Sequence, residues 1–198
     1  MHQVTTPFLA SLEGSELPTD VDPYFSLPTQ TWVITQHLEE SALLMNQKEV
    51  ERHGSVSTMA KLLCYRKVDI TQKLAFMRVY RQIPTIGTEY SKPEIRGLQA
   101  MPKLKSMACN VTPALLGYKK AQQDNDDPIP GGFSIYIVWD KVPGESLSDK
   151  YFWSLSRDAR DGIRREFRRV NEQFLPWGIE PTSPTTTNLI YDQVSGSM

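Results

Sequence analysis

At 198 residues the chain has room for one domain, or for two small lobes sharing a cleft. Lys and Arg total 22 against 23 for Asp and Glu, so no global field favours nucleic acid or an anionic membrane as a partner. The two cysteines, Cys64 and Cys109, lack metal-type spacing, no apolar run approaches a membrane span, and the first twenty residues hold no basic stretch leading into an apolar core; the expectation is a reducing, cytoplasmic setting.

Residues 1–30 mix Pro, Ser, Thr and acids without periodicity and read as an irregular lead-in. In TWVITQHLEESALLMNQKEVERHG, Thr35 is placed to cap a helix whose first turn holds Glu39 and Glu40 and which Gly54 closes. STMAKLLCYRKVD and KLAFMRVYRQIP then alternate as two strands of a hairpin, with Asp69 near the turn. KPEIRGLQAMPKLKSMACN gives one or two helical turns interrupted by Pro102. VTPALLGYKKAQ and GGFSIYIVWDKVPG are strand-like again, on either side of a polar loop, QDNDDPIPGG, whose acids read as solvated.

After Gly144 the period changes. Ser156 is placed to cap RDARDGIRREFRRVNEQFL, where Ala159, Ile163, Phe167, Val170 and Phe174 recur every three or four residues, and Pro176 stops the helix. Its many arginines stand at helical spacing from Asp158, Asp161 and Glu166, the pattern of a solvated face. NLIYDQVSGSM closes the chain as a strand and turn. The fold class expected is therefore α+β: a strand-rich lobe over residues 31–142 and a helical one over 143–198.

LAFMRVYRQIP, TPALLGYKK with PGGFSIYIVWDKVPGESL, and FWSLSRDARDGIRREFRRV with NLIYD together resemble the kinase-like, aminoglycoside-phosphotransferase-like proteins of filamentous fungi. The resemblance covers about residues 55–198. It implies a truncated protein-kinase-like fold of two lobes, an antiparallel sheet lobe and a partial helical lobe, joined by a linker that touches adenine. In that fold a Lys on the third strand of the small lobe holds the α- and β-phosphates and pairs with a helix Glu. A catalytic-loop Asp sits five residues before an Asn, and a further Asp completes the metal site.

Carried onto this sequence, the Lys position falls on Arg78, either a phosphate contact or an exposed strand residue beside Arg81. Glu94 is either its helix partner or an acid favoured at a helix N-terminus. Trp139 would guard the back of the adenine site, with the backbones of Asp140 and Val142 facing the base, or it is a plain core aromatic and Asp140 a surface turn residue. Asn188 takes the metal-ligand Asn position, or is a turn residue before a strand. Five residues earlier stands Ser183, not Asp; Pro181 replaces the accompanying His, and Glu180 is out of register. Asp192 sits too early for the second metal acid.

The expected function is thus non-catalytic, a pseudokinase in a binding or scaffolding role with a remnant nucleotide cleft. It would bind ATP weakly, with weak or no Mg dependence. Two alternatives stand beside it: an ATP-dependent small-molecule phosphotransferase, and a truncated gene product without independent function. The apolar face of the long helix has few partners in the sequence, so a protein partner or self-association is expected to cover it.

Overall fold

The computed structural model describes residues 9, 12–42, 57–84, 111–178 and 186–198. The chain divides into two compact units, Met1–Lys105 with Ala114–Lys141, and Ser106–Pro113 with Val142–Met198.

The first unit is one antiparallel sheet. Its strands are β1 (Glu16–Thr19), β2 (Gln30–Ala42), β3 (Ser57–Arg66), β4 (Leu74–Gln82), β5 (Leu115–Gln122) and β6 (Phe133–Asp140). They lie in the order β1-β2-β3-β4-β6-β5. The β3–β4 hairpin follows from strict alternation: Ala60, Leu62, Cys64, Ala75, Met77 and Val79 are all buried on one face. Its turn is set by Asp69, whose Oδ1 accepts from the Thr71 amide at 2.9 Å and the Thr71 hydroxyl at 2.6 Å. Those bonds hold the Asp69 carboxyl below the usual carboxylate range.

The helix expected from Thr35 does not form over the described part of that segment, because residues 30–42 are a strand. Val33, Ile34 and Thr35 are a β-branched run, whose side chains lose rotamer freedom in a helix and fit a pleated surface. Trp32 and Ile34, two apart, are each 1% exposed, which is the strand period. Thr35 does not cap; its hydroxyl donates to the Leu63 carbonyl at 3.2 Å. The remainder of that expected helix, with Gly54, lies outside the described residues. The lead-in is also more ordered than its composition suggests, since β1 pairs with β2 from Glu16↔Val33 to Thr19↔Gln30.

Two register shifts interrupt β2 against β3, between Ile34 and Gln36 and between His37 and Glu39. Bulges increase strand twist, and the sheet curls until β5 approaches the β1–β2 end. Gln30 Nε2 donates to the Leu116 carbonyl at 3.1 Å. Gly117 is required at this approach, since a Cβ there would lie 2.9 Å from Trp32 Nε1 and 3.3 Å from the Thr19 side chain. Inside the curl, Leu9, Trp32, Ile34, Leu62, Met77, Val79 and Val138 form the main core. Each fully buried side chain of this kind contributes about 1.5–3 kcal/mol. The Trp32 indole N–H donates to the Thr19 hydroxyl at 3.2 Å, so its polar edge is satisfied. On the opposite face, Phe25 and Leu27 cover Tyr118, Ile135 and Ile137 as a second cluster.

The polar loop after β5 is not simply solvated. Asp127 reaches Arg81, Nη1 to Oδ1 at 2.8 Å, and its other oxygen accepts from the Asp124 amide at 3.0 Å. Beside it the Gln123 amide donates to the Gln82 carbonyl at 2.9 Å and accepts from the Ile129 N–H at 3.2 Å.

The second unit holds α1 (Asp149–Ser154), α2 (Arg157–Phe174) and the short pair β7 (Glu145–Ser146) with β8 (Ile190–Tyr191). Ser156 caps α2, its hydroxyl accepting from the Ala159 amide at 3.3 Å. Two of the arginines of α2 are closely matched locally: Arg164 to Asp161 at 2.6 Å and Arg169 to Glu166 at 2.7 Å. Ile163 and Val170 are buried, whereas Phe167 on the same stripe stays 40% exposed. Among the described residues no helix is long and apolar enough to cross a membrane.

Candidate functional site

Alternation fixes what the half-buried face of the first unit's sheet displays. With Met77 and Val79 turned into the core, Phe76, Arg78 and Tyr80 stand on the other face. The β3 register sets Leu63 opposite Phe76 and Lys61 opposite Arg78. The β6 register sets Trp139 opposite Phe76 and Ile137 opposite Arg78.

These neighbours interact. The Arg78 guanidinium lies over the Trp139 ring, 5.3 Å from its centroid. Lys61 Nζ stands 4.4 Å from the Phe76 centroid and Lys141 Nζ 5.8 Å from the same ring. Ring quadrupoles attract cations above their faces, most strongly where water is partly excluded. The site is therefore two cross-strand aromatics holding three cations. The Arg78 Nε is buried and has no hydrogen-bond partner. Among the described residues, no ion pair involves Lys61, Arg78 or Lys141, although Glu39 is the β2 partner of Lys61 in register. Asp140, next to this face, is taken by Lys73 at 2.9 Å, and its amide donates to the Ala114 carbonyl at 3.0 Å.

Arg78, Trp139 and Asp140 thus fall on paired strands of one sheet. Val142 belongs to the second unit. Glu94 lies outside the described residues, as do Glu180, Pro181 and Ser183. Lys61, Phe76 and Lys141 were missed by the sequence reading. The signal for Lys61 was present, since a hairpin centred near Asp69 sets residues at equal distance from the turn side by side.

Asn188 ends a single helical turn, Thr186–Asn188, ahead of β8. It borders a cavity of about 900 Å³ within the second unit, lined mainly by apolar side chains that include Phe152, Ile163, Phe167 and Val170. Asp192 borders the same cavity but is engaged in its own turn. Its carboxylate accepts from the Ser195 hydroxyl at 2.6 Å and the Val194 amide at 3.0 Å, and these bonds hold it below the usual carboxylate range. Among the described residues there is no group of three His, Cys, Asp or Glu side chains suited to holding a metal ion.

Comparison with family models, with curated proteins and with solved structures gave no match.

Proposed function

We propose that this chain is a kinase-like binding module without phosphotransfer activity, whose sheet retains a contact for nucleotide phosphate at Arg78. The observation that carries the reading is the Arg78–Trp139 pair. An arginine on the third strand of the β2–β3–β4 run, the place a kinase gives its phosphate-binding Lys, rests on the aromatic of the strand leading into the linker. Its unpartnered Nε supports a role toward an anion. An Arg meets phosphate oxygens through a planar fork and does not act as a compact ammonium, which favours holding a phosphate over driving its transfer. The non-catalytic part of the reading is supported by the sequence: Ser183 stands where a base is needed, and a hydroxyl does not accept a proton near neutral pH as a carboxylate does.

Calorimetric titration with ATP, with and without magnesium, and a labelled-ATP turnover assay test this together. The expected outcome is a Kd weaker than about 1 μM, little strengthened by magnesium, and no turnover. Turnover near about one per second, abolished by Asn188→Ala, would establish the phosphotransferase instead.

A further inference from the structure

We infer that the half-buried sheet face of the first unit binds a polyphosphate chain directly, without a metal ion, through Lys61, Arg78 and Lys141. This rests on the reading of Arg78 as a phosphate contact and names what that contact takes.

Three observations carry it. Lys61 and Arg78 are direct cross-strand partners, and like charges in that position destabilise a sheet unless something compensates them. Lys141 adds a third cation, since it and Lys61 both stand within 5.8 Å of the Phe76 centroid. Other cations of the sheet do meet a carboxylate: Lys67 meets Glu16 at 2.6 Å, Lys73 meets Asp140 at 2.9 Å, and Arg81 meets Asp127 at 2.8 Å. Among the described residues none of the three cations at Phe76 and Trp139 is in an ion pair.

The geometry also discriminates between parts of a ligand. Each ring already carries one of this protein's own cations, which a stacked purine would have to compete with. What the face offers is positive charge held in place by aromatic rings, together with the unsatisfied buried Arg78 Nε. A linear phosphate chain, with charge on each phosphoryl group, matches several cations fixed along paired strands; a nucleoside does not. With protein cations supplying the neutralisation, a magnesium ion on the chain would remove charge the site needs.

The test is calorimetric titration of the full chain with sodium tripolyphosphate, ATP and adenosine, each with and without magnesium, and at two salt concentrations. Tripolyphosphate is expected to bind within about threefold of ATP, adenosine not at all, and magnesium and salt to weaken both phosphates. Lys61→Met with Lys141→Met should reduce tripolyphosphate affinity by about tenfold or more, from the loss of charge-assisted contacts. Tryptophan fluorescence would report whether the variant is folded, and the wild-type ligand series stands without it. Binding of tripolyphosphate but not ATP would support this inference and end the nucleotide reading. Binding of ATP, with none of tripolyphosphate or adenosine, would overturn it and leave the reading of Arg78 as a nucleotide-phosphate contact intact. Strengthening by magnesium would also overturn it, and no binding by any of the three would end both.

Discussion

Replacing Asp127 by Ala should destabilise the first unit far more than the loss of a loop carboxylate normally does. The Arg81 side chain is only 10% exposed, that of Asp127 26%, and they meet at 2.8 Å. Removing one member of a buried pair typically costs about 3–5 kcal/mol, because the other charge stays buried and unmatched. Water reaching Asp127 softens that, so about 2–3 kcal/mol is expected, including loss of the Asp124 amide contact. Arg81 already has an unpartnered buried Nε, so it has little means of finding new partners. The double variant Arg81→Met with Asp127→Ala removes the stranded charge and should recover to within about 1 kcal/mol of wild type. Urea unfolding followed by tryptophan fluorescence, at low and high salt, measures all three. A single variant within about 0.5 kcal/mol of wild type, or a double variant worse than the single, would refute the reasoning.

Two further outcomes follow from the packing. Gly144 has φ +100°, and a Cβ there would lie 2.6 Å from the Tyr191 carbonyl, so Gly144→Ala should cost about 2 kcal/mol or more and unprotect the β7–β8 amides in hydrogen exchange; unchanged protection would contradict it. Burial pushes the Cys64 thiol up to about 12. Because the folded value is raised, its contribution to stability is complete below the unfolded thiol's pKa of about 8.5 and is lost as pH rises toward 12. In a Cys109→Ser background, thiol labelling at about pH 8 should wait for unfolding, and rapid labelling of the native protein would show the thiol to be accessible.

Much of the sheet was legible because its residues alternate plainly. AFMRVY and FSIYIVW were readable as strands of one antiparallel sheet, and they pair from Ala75↔Asp140 to Arg81↔Ser134. The long helix was legible from its apolar spacing and from Ser156. What failed was β2, where Glu39 and Glu40 imitate a helix start and the β-branched run before them was underweighted. Glu40 instead accepts from the Thr58 hydroxyl at 2.8 Å and from the Leu9 amide at 3.2 Å, contacts 18 and 31 residues away that no local pattern announces. The site was legible only in pieces. Arg78 and Trp139 were nominated on separate grounds, and their stacking depends on the β4–β6 register, since they stand 61 positions apart in sequence. Lys141, read only as part of the linker, joins through its approach to Phe76. Asp127 was read as solvated because composition reports a loop's polarity and not the cation beneath it.

The curl of the sheet has a consequence for the chain's behaviour in concentrated solution. An open sheet edge is a template on which another chain can add a strand, and repeated addition is a route to aggregation. Here β1 spans only the first part of β2, from Gln30 to Val33, so the distal part of β2 has no β1 partner. The two bulges and the exposed Glu39 make that stretch irregular and charged. At the far end β5 carries Lys119 and Lys120, and the carbonyl of Leu116 is met by Gln30. Among the described residues strand-by-strand growth therefore finds no straight, vacant rim, and association of two copies is expected to run through side-chain surfaces instead.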